Sequence, residues 1–260
     1  MGILTLNKIY KTFRSKNGAL LALDNINIEI KKGEFVCIIG PSGCGKSTLL
    51  NIIAGLERAC EGKVSLNGKE VVSPGPDRVV MFQEAALFPW LDVINNVSFG
   101  LKMAKVSKHE SKEIALKYLR MVNLTKFQNS CVHELSGGMK QRVALARALA
   151  MDSDILLMDE PFAALDPQTK SLLQAELERI WLETKKTILF VTHNVTEALL
   201  LADKIIILSA NPGRVKKEYV ISIERPRRTD NIEIHRLSKE IMLELEVEVN
   251  KVEQTEFDAL

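Results

Sequence analysis

A glycine-rich segment between an apolar run at residues 35–39 and a helical pattern at residues 49–54 could bind phosphate. It comprises Gly40, Pro41, Ser42, Gly43, Cys44, Gly45, Lys46, Ser47 and Thr48. Small residues let backbone N–H groups converge on one anion, and the helix N-terminus adds its positive dipole end. The spacing G-x-x-x-x-G-K-[ST] brings Lys46 to the β- and γ-phosphates of a nucleotide and the Ser47 hydroxyl to Mg²⁺. This phosphate loop, residues 40–48, predicts a nucleotide site rather than a plain glycine-rich turn.

Two adjacent carboxylates, Asp159 and Glu160, follow the apolar run at residues 155–158. A carboxylate is a hard oxygen ligand, so Asp159 is predicted to hold Mg²⁺ through its hydration shell. Glu160 is then free to orient or deprotonate an attacking water. Solvent exposure at a strand end is the simpler alternative, but with the phosphate loop the pair favours hydrolysis of a nucleoside triphosphate.

Polar side chains also follow two other predicted strands, Gln83 after residues 78–82 and His193 after residues 187–191. The neutral amide of Gln83 could bind Mg²⁺ or water and transmit the nucleotide state to the helical insertion. A glutamine after a strand is, however, usually a surface residue without a specific function. A neutral imidazole at His193 can donate to a γ-phosphate, although a lone histidine is more often structural. Since ligands sit beyond the carboxyl ends of parallel strands, both are expected in one crevice with the phosphate loop and the two carboxylates.

A second helix start occurs in the segment Leu135-Ser136-Gly137-Gly138-Met139-Lys140-Gln141-Arg142. Ser136 is a predicted N-cap, and the two glycines leave the first N–H groups of the helix uncovered. This end is either an ordinary capped helix, which physical reasoning alone favours, or a site for a phosphate held by another subunit.

The composition excludes several protein classes. The chain has 260 residues with 46% hydrophobic and 26% charged residues, which is typical of a globular α/β domain rather than a disordered chain. A formal net charge of +2 gives no electrostatic case for nucleic acid. Apolar runs are far shorter than the ~20 residues of a membrane helix, and the N-terminus lacks a signal-peptide pattern. The four cysteines have no zinc-type spacing, so reduced thiols in the cytosol are expected.

Strands and helices are predicted in an order that places these residues at strand ends. A crossover helix is expected between the last two parallel strands, and the middle of the chain follows a helical period. The predicted strands are residues 2–6, 21–30, 35–39, 62–67, 69–72, 78–82, 155–158 and 187–191, and the helical stretches are residues 86–150 and 167–184.

The complete set of motifs resembles that of the ATP-binding-cassette (ABC) ATPases over residues 2–215. The motifs are residues 40–47, Gln83, the serine–glycine–glycine segment at 135–142, residues 155–160, Ala164-Leu165-Asp166 and His193. The resemblance implies an α/β P-loop NTPase with a RecA-like mixed sheet core, an N-terminal antiparallel β-subdomain and an α-helical insertion carrying the signature motif. The implied ATPase domain is residues 1–224, with the core at about 1–85 and 151–224 and the insertion at about 86–150. A helical tail follows at 225–260.

In this family two subunits face head to tail, and each ATP lies between the phosphate loop of one and the signature helix of the other. The resemblance therefore implies that Ser136, Gly137, Gly138 and Gln141 act in trans, and that Asp166 crosses the dimer interface. It favours Phe13, with Tyr10 second, as the aromatic residue on adenine. ATP and Mg²⁺ are the implied cofactors, with the phosphate loop and Gln83 on ATP and Ser47, Gln83 and Asp159 on the metal. Glu160, His193, Gln83 and Lys46 are the implied catalytic group.

Within the superfamily the chain looks like importer ATPases of the nitrate/sulfonate/taurine group, which includes bicarbonate uptake systems. The closer match lies in residues 74–78, 82–84, 87–90 and 208–214. It implies transmembrane permease subunits as partners, a second ATPase subunit that is identical or a paralogue, and indirectly an extracytoplasmic solute-binding protein. The implied location is peripheral, on the cytoplasmic face of the inner membrane, with no nucleic-acid partner.

The permease coupling helix is expected near Gln83, which makes Leu87, Phe88, Pro89 and Trp90 candidates for contact. Packing of Phe88 and Trp90 between insertion and core is the alternative.

The alternative function is that of a soluble ABC-type ATPase of DNA repair or translation. A P-loop kinase is a weaker alternative, because kinases of that class would lack the signature helix that this chain has. In the tail, residues 225–228 form a break, and a partly helical apolar stripe follows at Ile234, Leu237, Ile241 and Leu245, which predicts a helix packed on the core. The three arginines of the break could instead approach lipid head groups or the permease.

Overall fold

The computed structural model describes residues 2–15 and 18–257, so residues 258–260 of the predicted tail lie outside the described chain. The chain forms two compact units. The first takes in Met1–Gly75 and Thr187–Leu260 as far as these are described, and the second is Pro76–Lys186. The predicted boundaries between core, insertion and tail stay a prediction. Among the described helices, none has the length and apolar character needed to cross a membrane.

An antiparallel sheet of four strands lies in the first unit. Strands β1 (Leu4–Ser15), β2 (Gly18–Ile30), β4 (Glu61–Leu66) and β5 (Lys69–Glu70) are arranged in the order β2-β1-β4-β5. In β2, Ile26, Ile28 and Ile30 are buried and alternate with exposed polar residues, as expected for a strand with one solvated face.

Strand β1 is much longer than the predicted strand at residues 2–6. The pairing of β1 with β2 shifts register between Leu6 and Ile9, and Lys8 between them has φ 50°. A Cβ on Gly62 would lie 2.0 Å from the carbonyl oxygen of Lys8, so glycine allows the two backbones to approach at this point. The irregularity breaks the period of two, which explains why the sequence pattern appeared to stop.

A second sheet in the first unit carries the phosphate loop. Strands β3 (Phe35–Ile39), β8 (Thr187–Val191), β9 (Lys204–Leu208) and β10 (Val215–Val220) lie in the order β10-β9-β3-β8. Strand β3 is parallel to both β8 and β9, and β10 is antiparallel to β9. All residues of β3 and β8 are buried, which explains their continuous apolar runs.

Three helices complete the first unit: α1 (Lys46–Ala54) after β3, α6 (Val195–Leu201) after β8, and the C-terminal α7 (Ile232–Phe257). In α7, Ile234 and Ile241 are buried, while Leu237 and Leu245 are half-buried. These four positions form the predicted apolar stripe, so this helix packs on its own unit.

The second unit pairs two parallel strands, β6 (Arg78–Met81) and β7 (Ile155–Asp159), with a helical part. The helices are α2 (Val93–Met103), α3 (Lys108–Met121), α4 (Gly137–Ala150) and α5 (Pro167–Thr184), with short 3₁₀ helices at Thr125–Phe127 and Val132–Glu134. Helix α4 is central, because it contacts α2, α3, α5 and β6. The predicted bounds of α5 and the helical character of residues 86–150 are confirmed.

Two of the three arginines at residues 225–228 are directed into the protein. The Arg227 guanidinium donates to the carbonyl oxygens of Leu199, Ala202, Ile221 and Ile223, and Arg227 is 7% exposed. Arg225 donates to Asp203 Oδ1 and to the carbonyl oxygen of Leu201. Because a helix C-terminus leaves its last carbonyl groups unpaired, these contacts cap α6. These two side chains are therefore not part of a lipid-facing basic surface.

Replacing Arg227 with alanine should lower the free energy of unfolding by about 2–4 kcal/mol, because several buried carbonyl groups lose a charged donor. Arg228 is the matched control, since its side chain is 78% exposed and pairs only loosely with Asp230. Arg228→Ala should change stability by less than ~0.5 kcal/mol. Urea-induced unfolding measures both, and equal losses would contradict the capping role of Arg227.

Candidate active site

The phosphate loop connects β3 to α1 through glycines with left-handed backbone. Gly43 has φ 77° and Gly45 has φ 92°, a region that side chains disfavour. Gly45 is also the N-cap residue of α1, which has no side-chain cap. A Cβ on Gly45 would lie 2.7 Å from Leu23 Cδ2. Only glycine therefore fits this turn, and the first N–H groups of α1 are not covered by a capping side chain.

Lys46 supplies the positive charge of the loop. Its Nζ donates to the carbonyl oxygens of Gly40 at 2.8 Å and Pro41 at 2.9 Å, and the residue is 7% exposed. Ser42 and Ser47 are exposed on the same loop, and Thr48 is half-buried. An ammonium group beside an N-terminal helix end forms a cradle for phosphate.

His193 lies on the same edge of the sheet as the phosphate loop. Strands β3 and β8 are parallel neighbours, so the loop after β3 and His193, two residues after β8, leave the same edge. The turn is fixed beside the histidine, because Thr192 Oγ1 donates to the buried Glu197 carboxylate and Asn194 Oδ1 accepts from Glu197 N. The His193 side chain is exposed. The first unit therefore brings together Lys46, Ser47 and His193.

The predicted adenine-stacking residue Phe13 lies in β1 with 39% of its surface exposed. Lys11 Nζ is 4.9 Å from the centroid of its ring and pairs with Glu57 at 2.7 Å. Tyr10, the second candidate, is half-buried. An exposed ring at this position is available for stacking, and its role stays a prediction.

The second unit brings together Gln83 and the two carboxylates. Met81 at the end of β6 is paired with Met158 in β7, so the residues that follow both strands leave the same edge. Gln83 is exposed, whereas Asp159 and Glu160 are partly exposed. Glu160 has φ 44°, a left-handed conformation that costs a residue with a side chain about 1–3 kcal/mol. Strain of this kind clusters at functional sites, which agrees with the predicted role of Glu160.

The signature segment begins α4 as predicted. Ser136 is the N-cap, and its Oγ accepts from Met139 N at 3.3 Å. A Cβ on Gly138 would lie 2.5 Å from Thr169 Cγ2, so this glycine lets α5 approach. A Cβ on Gly137 would meet nothing closer than 3.9 Å. Packing within the chain therefore explains Gly138 but not Gly137, which lies exposed beside Ser136.

Gln141 is held within its own chain. The side chain is 5% exposed, and Nε2 donates to the Gln83 carbonyl oxygen at 2.7 Å. The amide nitrogen of Gln141 thus binds the loop after β6, and the role in trans that the resemblance implies for this residue stays a prediction. The signature helix and Gln83 are thus directly connected in one subunit.

Arg147, which the sequence analysis missed, fixes the same loop further along. Its guanidinium donates to the carbonyl oxygens of Ala85 and Ala86 at 2.9 Å each and lies 5.6 Å from the Phe88 ring centroid. Burial lowers the pKa of Arg147. The only feature of the sequence that could have indicated these contacts is the position of an arginine within the apolar run of α4.

An apolar groove lies beside this loop within the second unit. It has a volume of about 370 Å³ and is lined by residues that include Phe82, Phe88, Phe99, Arg147 and Met151. The Phe88 ring is 4.3 Å from that of Phe99 and 5.5 Å from that of Trp90, measured between centroids. Phe88 is half-buried, but Trp90 is 75% exposed and Phe82 is 46% exposed. Packing within the unit therefore accounts for Phe88 and leaves Trp90 as a surface group.

Asp166 begins the crossover helix. Its Oδ1 accepts from Thr169 N at 3.0 Å, which makes it the N-cap of α5. The hydrogen bond from Thr169 lowers the pKa of this exposed carboxyl group. A local capping role is established, and a contact across a dimer interface stays a prediction.

Residues 23–163 match the family described as ABC transporter. The chain belongs to this family. An uncharacterized ABC transporter ATP-binding protein of Methanocaldococcus jannaschii is 51% identical over 95% of this chain and 93% of its own length. The taurine import ATP-binding protein of Pelagibacter ubique is 48% identical over 82% and 80%. The nitrate import ATP-binding protein of Synechocystis is 44% identical over 91% and 89%.

A solved ABC structure has the same fold. It is a dimeric ATP-binding cassette in a post-hydrolysis state bound to ADP and Pi, with a TM-score of 0.73 and 34% identity. The match covers 85% of this chain and all of that one. The predicted P-loop α/β fold is confirmed, as is the assignment of the chain to the ATP-hydrolysing ABC cassettes. The role of each site residue stays a prediction.

Cys44 of this ABC ATPase is the buried thiol of the phosphate loop. The residue is 1% exposed, and burial raises the pKa of the thiol although the Lys46 ammonium opposes the shift. Cys60 and Cys131 are exposed. Because the thiolate is the reactive form, both access and ionisation protect Cys44.

Iodoacetamide at neutral pH should therefore modify Cys60 and Cys131 at least ~10-fold faster than Cys44. Peptide mass spectrometry of the time course measures the three rates separately. Protein unfolded in urea is the control, where the rates should converge. Equal rates in the folded protein would contradict the buried placement of Cys44.

Proposed function

We propose that this chain is the ATP-hydrolysing subunit of a membrane importer for a small anion, such as nitrate or a sulfonate. The observation that carries the proposal is the presence of two glycine-bearing helix starts, Gly45 at α1 and Gly137 at α4. The first has Lys46 beside it and suits the phosphates of ATP. The second leaves open space at Gly137 and suits a phosphate supplied by another subunit.

Hydrolysis requires charge stabilisation and a positioned water. The α1 N-terminus and the Lys46 ammonium stabilise negative charge on the β- and γ-phosphates. Glu160 orients the attacking water or accepts its proton, and His193 donates to the γ-phosphate. Phe13 stacks on adenine, which places the triphosphate along the loop. In this assignment Gln83 senses the nucleotide at the edge where Glu160 lies.

Mg²⁺ fits the donors that the chain offers. In the part of the chain that the structure describes, no group of three or more carboxylate, histidine or cysteine side chains could cage a metal. Mg²⁺ bound with a nucleotide needs only one or two protein oxygen ligands, because phosphates and water supply the rest. Ser47, Gln83 and Asp159 are the residues proposed to hold it. The ion would neutralise charge on the phosphate oxygens.

Two copies, or this chain and a paralogue, would complete each other's sites. Ser136 and Gly137 are exposed at the N-terminus of α4, where they can reach a γ-phosphate held by a partner. Asp166 is exposed at the start of α5 and is proposed to approach the same interface. ATP binding then closes the dimer, and hydrolysis reopens it.

The apolar groove is the proposed docking site for a transmembrane permease. Trp90 and Phe82 are large exposed apolar groups beside it, and such patches mark interaction surfaces. The nitrate and taurine import proteins among the relatives favour an importer over a soluble ABC-type ATPase. A peripheral location on the cytoplasmic face of the membrane and an indirect link to an extracytoplasmic solute-binding protein belong to the same proposal.

Glu160→Gln should retain ATP binding and lower the hydrolysis rate by about 10²–10⁴-fold, because the amide cannot accept a proton. Phosphate release measures turnover, and equilibrium binding of a fluorescent ATP analogue measures affinity. Glu183→Gln is a control in the same unit, since this carboxylate pairs with Arg179 on the exposed side of α5. Wild-type turnover in Glu160→Gln would refute its assigned role.

Trp90→Asp should abolish co-purification of the chain with a polytopic membrane protein without changing ATP hydrolysis by the isolated subunit. A charge at the edge of an apolar docking surface is unfavourable once a partner buries it, whereas Trp90 is 75% exposed in the isolated chain and its substitution should leave the fold intact. Val220→Asp provides the control, because Val220 is 77% exposed in the other unit. Equal membrane association of both variants would exclude the groove as the docking site.

A further inference from the structure

The loop between β9 and β10, residues 209–214, lies directly behind the phosphate loop. Gly213 N donates to the Ala22 carbonyl oxygen at 3.0 Å, and Asp24 N donates to the Gly213 carbonyl oxygen at 2.9 Å. A Cβ on Gly213 would lie 2.2 Å from the Cys44 carbonyl oxygen. No side chain fits between these backbones, so the position of Gly213 limits where Cys44 can lie.

This supporting loop is held closed by its own hydrogen bonds. Ser209 N donates to the Arg214 carbonyl oxygen at 2.9 Å, and Ser209 Oγ accepts from Arg214 N at 3.0 Å. Ser209 Oγ also donates to the Pro212 carbonyl oxygen at 2.9 Å. A closed loop moves as one piece, so a displacement of Ala210 also displaces Gly213.

The C-terminal helix makes that contact through a buried carboxylate. Glu248 on α7 is 1% exposed, and its Oε2 accepts from Ala210 N at 3.1 Å. Its Oε1 pairs with Lys216 Nζ at 3.0 Å and with Lys251 Nζ at 2.8 Å. Burial of a carboxylate is unfavourable unless it is paired and hydrogen-bonded, and Glu248 meets both conditions.

We infer that Glu248 is a positioning residue for the nucleotide site, acting through the supporting loop on the phosphate loop. The connected series runs from Glu248 to the Ala210 amide, through the closed loop to Gly213, and on to the Cys44 carbonyl group. The inference rests on the proposed nucleotide-binding role of residues 40–48. It gives the C-terminal helix a part in ATP binding that its sequence does not indicate.

The connection to the phosphate loop can be measured without nucleotide, because Cys44 is a natural reporter. Glu248→Ala leaves the Ala210 amide unpaired and lets the closed supporting loop shift as one piece, so Cys44 should be alkylated at least ~5-fold faster than in the wild type. Glu246→Ala is the matched control, since Glu246 is exposed on the same helix. Ile241→Ala controls for stability, because it removes a buried side chain of α7 without touching Glu248.

The effect of Glu248 on nucleotide binding is measured as the affinity of the full-length protein for a fluorescent ATP analogue. Glu248→Ala should weaken binding about 5-fold or more, and Gly213→Ala should do so as well, because its methyl group displaces the Cys44 carbonyl. Glu248→Gln keeps an acceptor for Ala210 and should stay within about 2-fold of the wild type. Glu246→Ala and Ile241→Ala should also bind normally once corrected for the folded fraction.

The outcomes separate this inference from the proposed function. Normal Cys44 alkylation and normal ATP affinity in Glu248→Ala would overturn the inference, as would an affinity loss matched by Ile241→Ala. If Glu248→Ala does not fold, Glu248→Asp decides by the same two measurements, because the shorter side chain keeps the charge beside Lys216 and Lys251 but no longer reaches the Ala210 amide. Failure of the wild type to bind the analogue would refute the proposed function, while the alkylation rates would still test the contact between Glu248 and the phosphate loop.

Discussion

Close approach of three backbone segments is the constraint on which the first unit depends. The phosphate loop must expose its N–H groups on one side, so neighbouring segments can support it only from the other side. A Cβ on Gly45 would be too close to Leu23 and to the Ala22 carbonyl oxygen of β2, and a Cβ on Gly213 would be too close to the Cys44 carbonyl oxygen. These contacts are dense, and packed interiors do not deform continuously. The shape of the loop is thus set jointly by β2, β3 and the connection that follows β9.

The two units carry complementary chemistry. The first contributes positive charge and donors, through Lys46, the N-terminus of α1 and His193. The second contributes carboxylates and an amide, through Asp159, Glu160 and Gln83. Hydrolysis of ATP requires stabilisation of charge on phosphate and a positioned water, and the proposed function assigns the first role to residues of the first unit and the second role to residues of the second unit. The strained backbone at Glu160 belongs to the second set, where orientation matters more than stability.

The sequence predicted local features well and long-range contacts poorly. The bounds of β3, α5 and β8 followed from apolar runs and capping signals that a short window contains. The N-cap at Ser136 followed for the same reason. The extension of β1 was missed because the irregularity at Lys8 interrupts the alternation that reveals a strand.

The main-chain contacts of four side chains were not predicted from the sequence. Each bonds to main-chain atoms, which carry no residue-specific signal, and the partner is distant in sequence or leaves no local motif. They are Gln141 on Gln83, Arg147 on Ala85 and Ala86, Arg227 on the end of α6, and Glu248 on Ala210. A charged or amide residue within an apolar helical run was the only available hint, and it does not identify the partner.

Helix α4 shows how such contacts can join two distant surfaces of one unit. Ser136 at its start and Arg147 near its end are separated by about 16 Å of helix, given a rise of 1.5 Å per residue. Between them Gln141 binds the Gln83 carbonyl, and Arg147 binds the next carbonyl groups of the same loop. The helix packs against α2, α3, α5 and β6, which limits how far it can bend to absorb a displacement at one end. In a dimer of the proposed kind, we therefore expect a displacement of Ser136 to move the loop that borders the apolar groove, which is the proposed docking site of the permease.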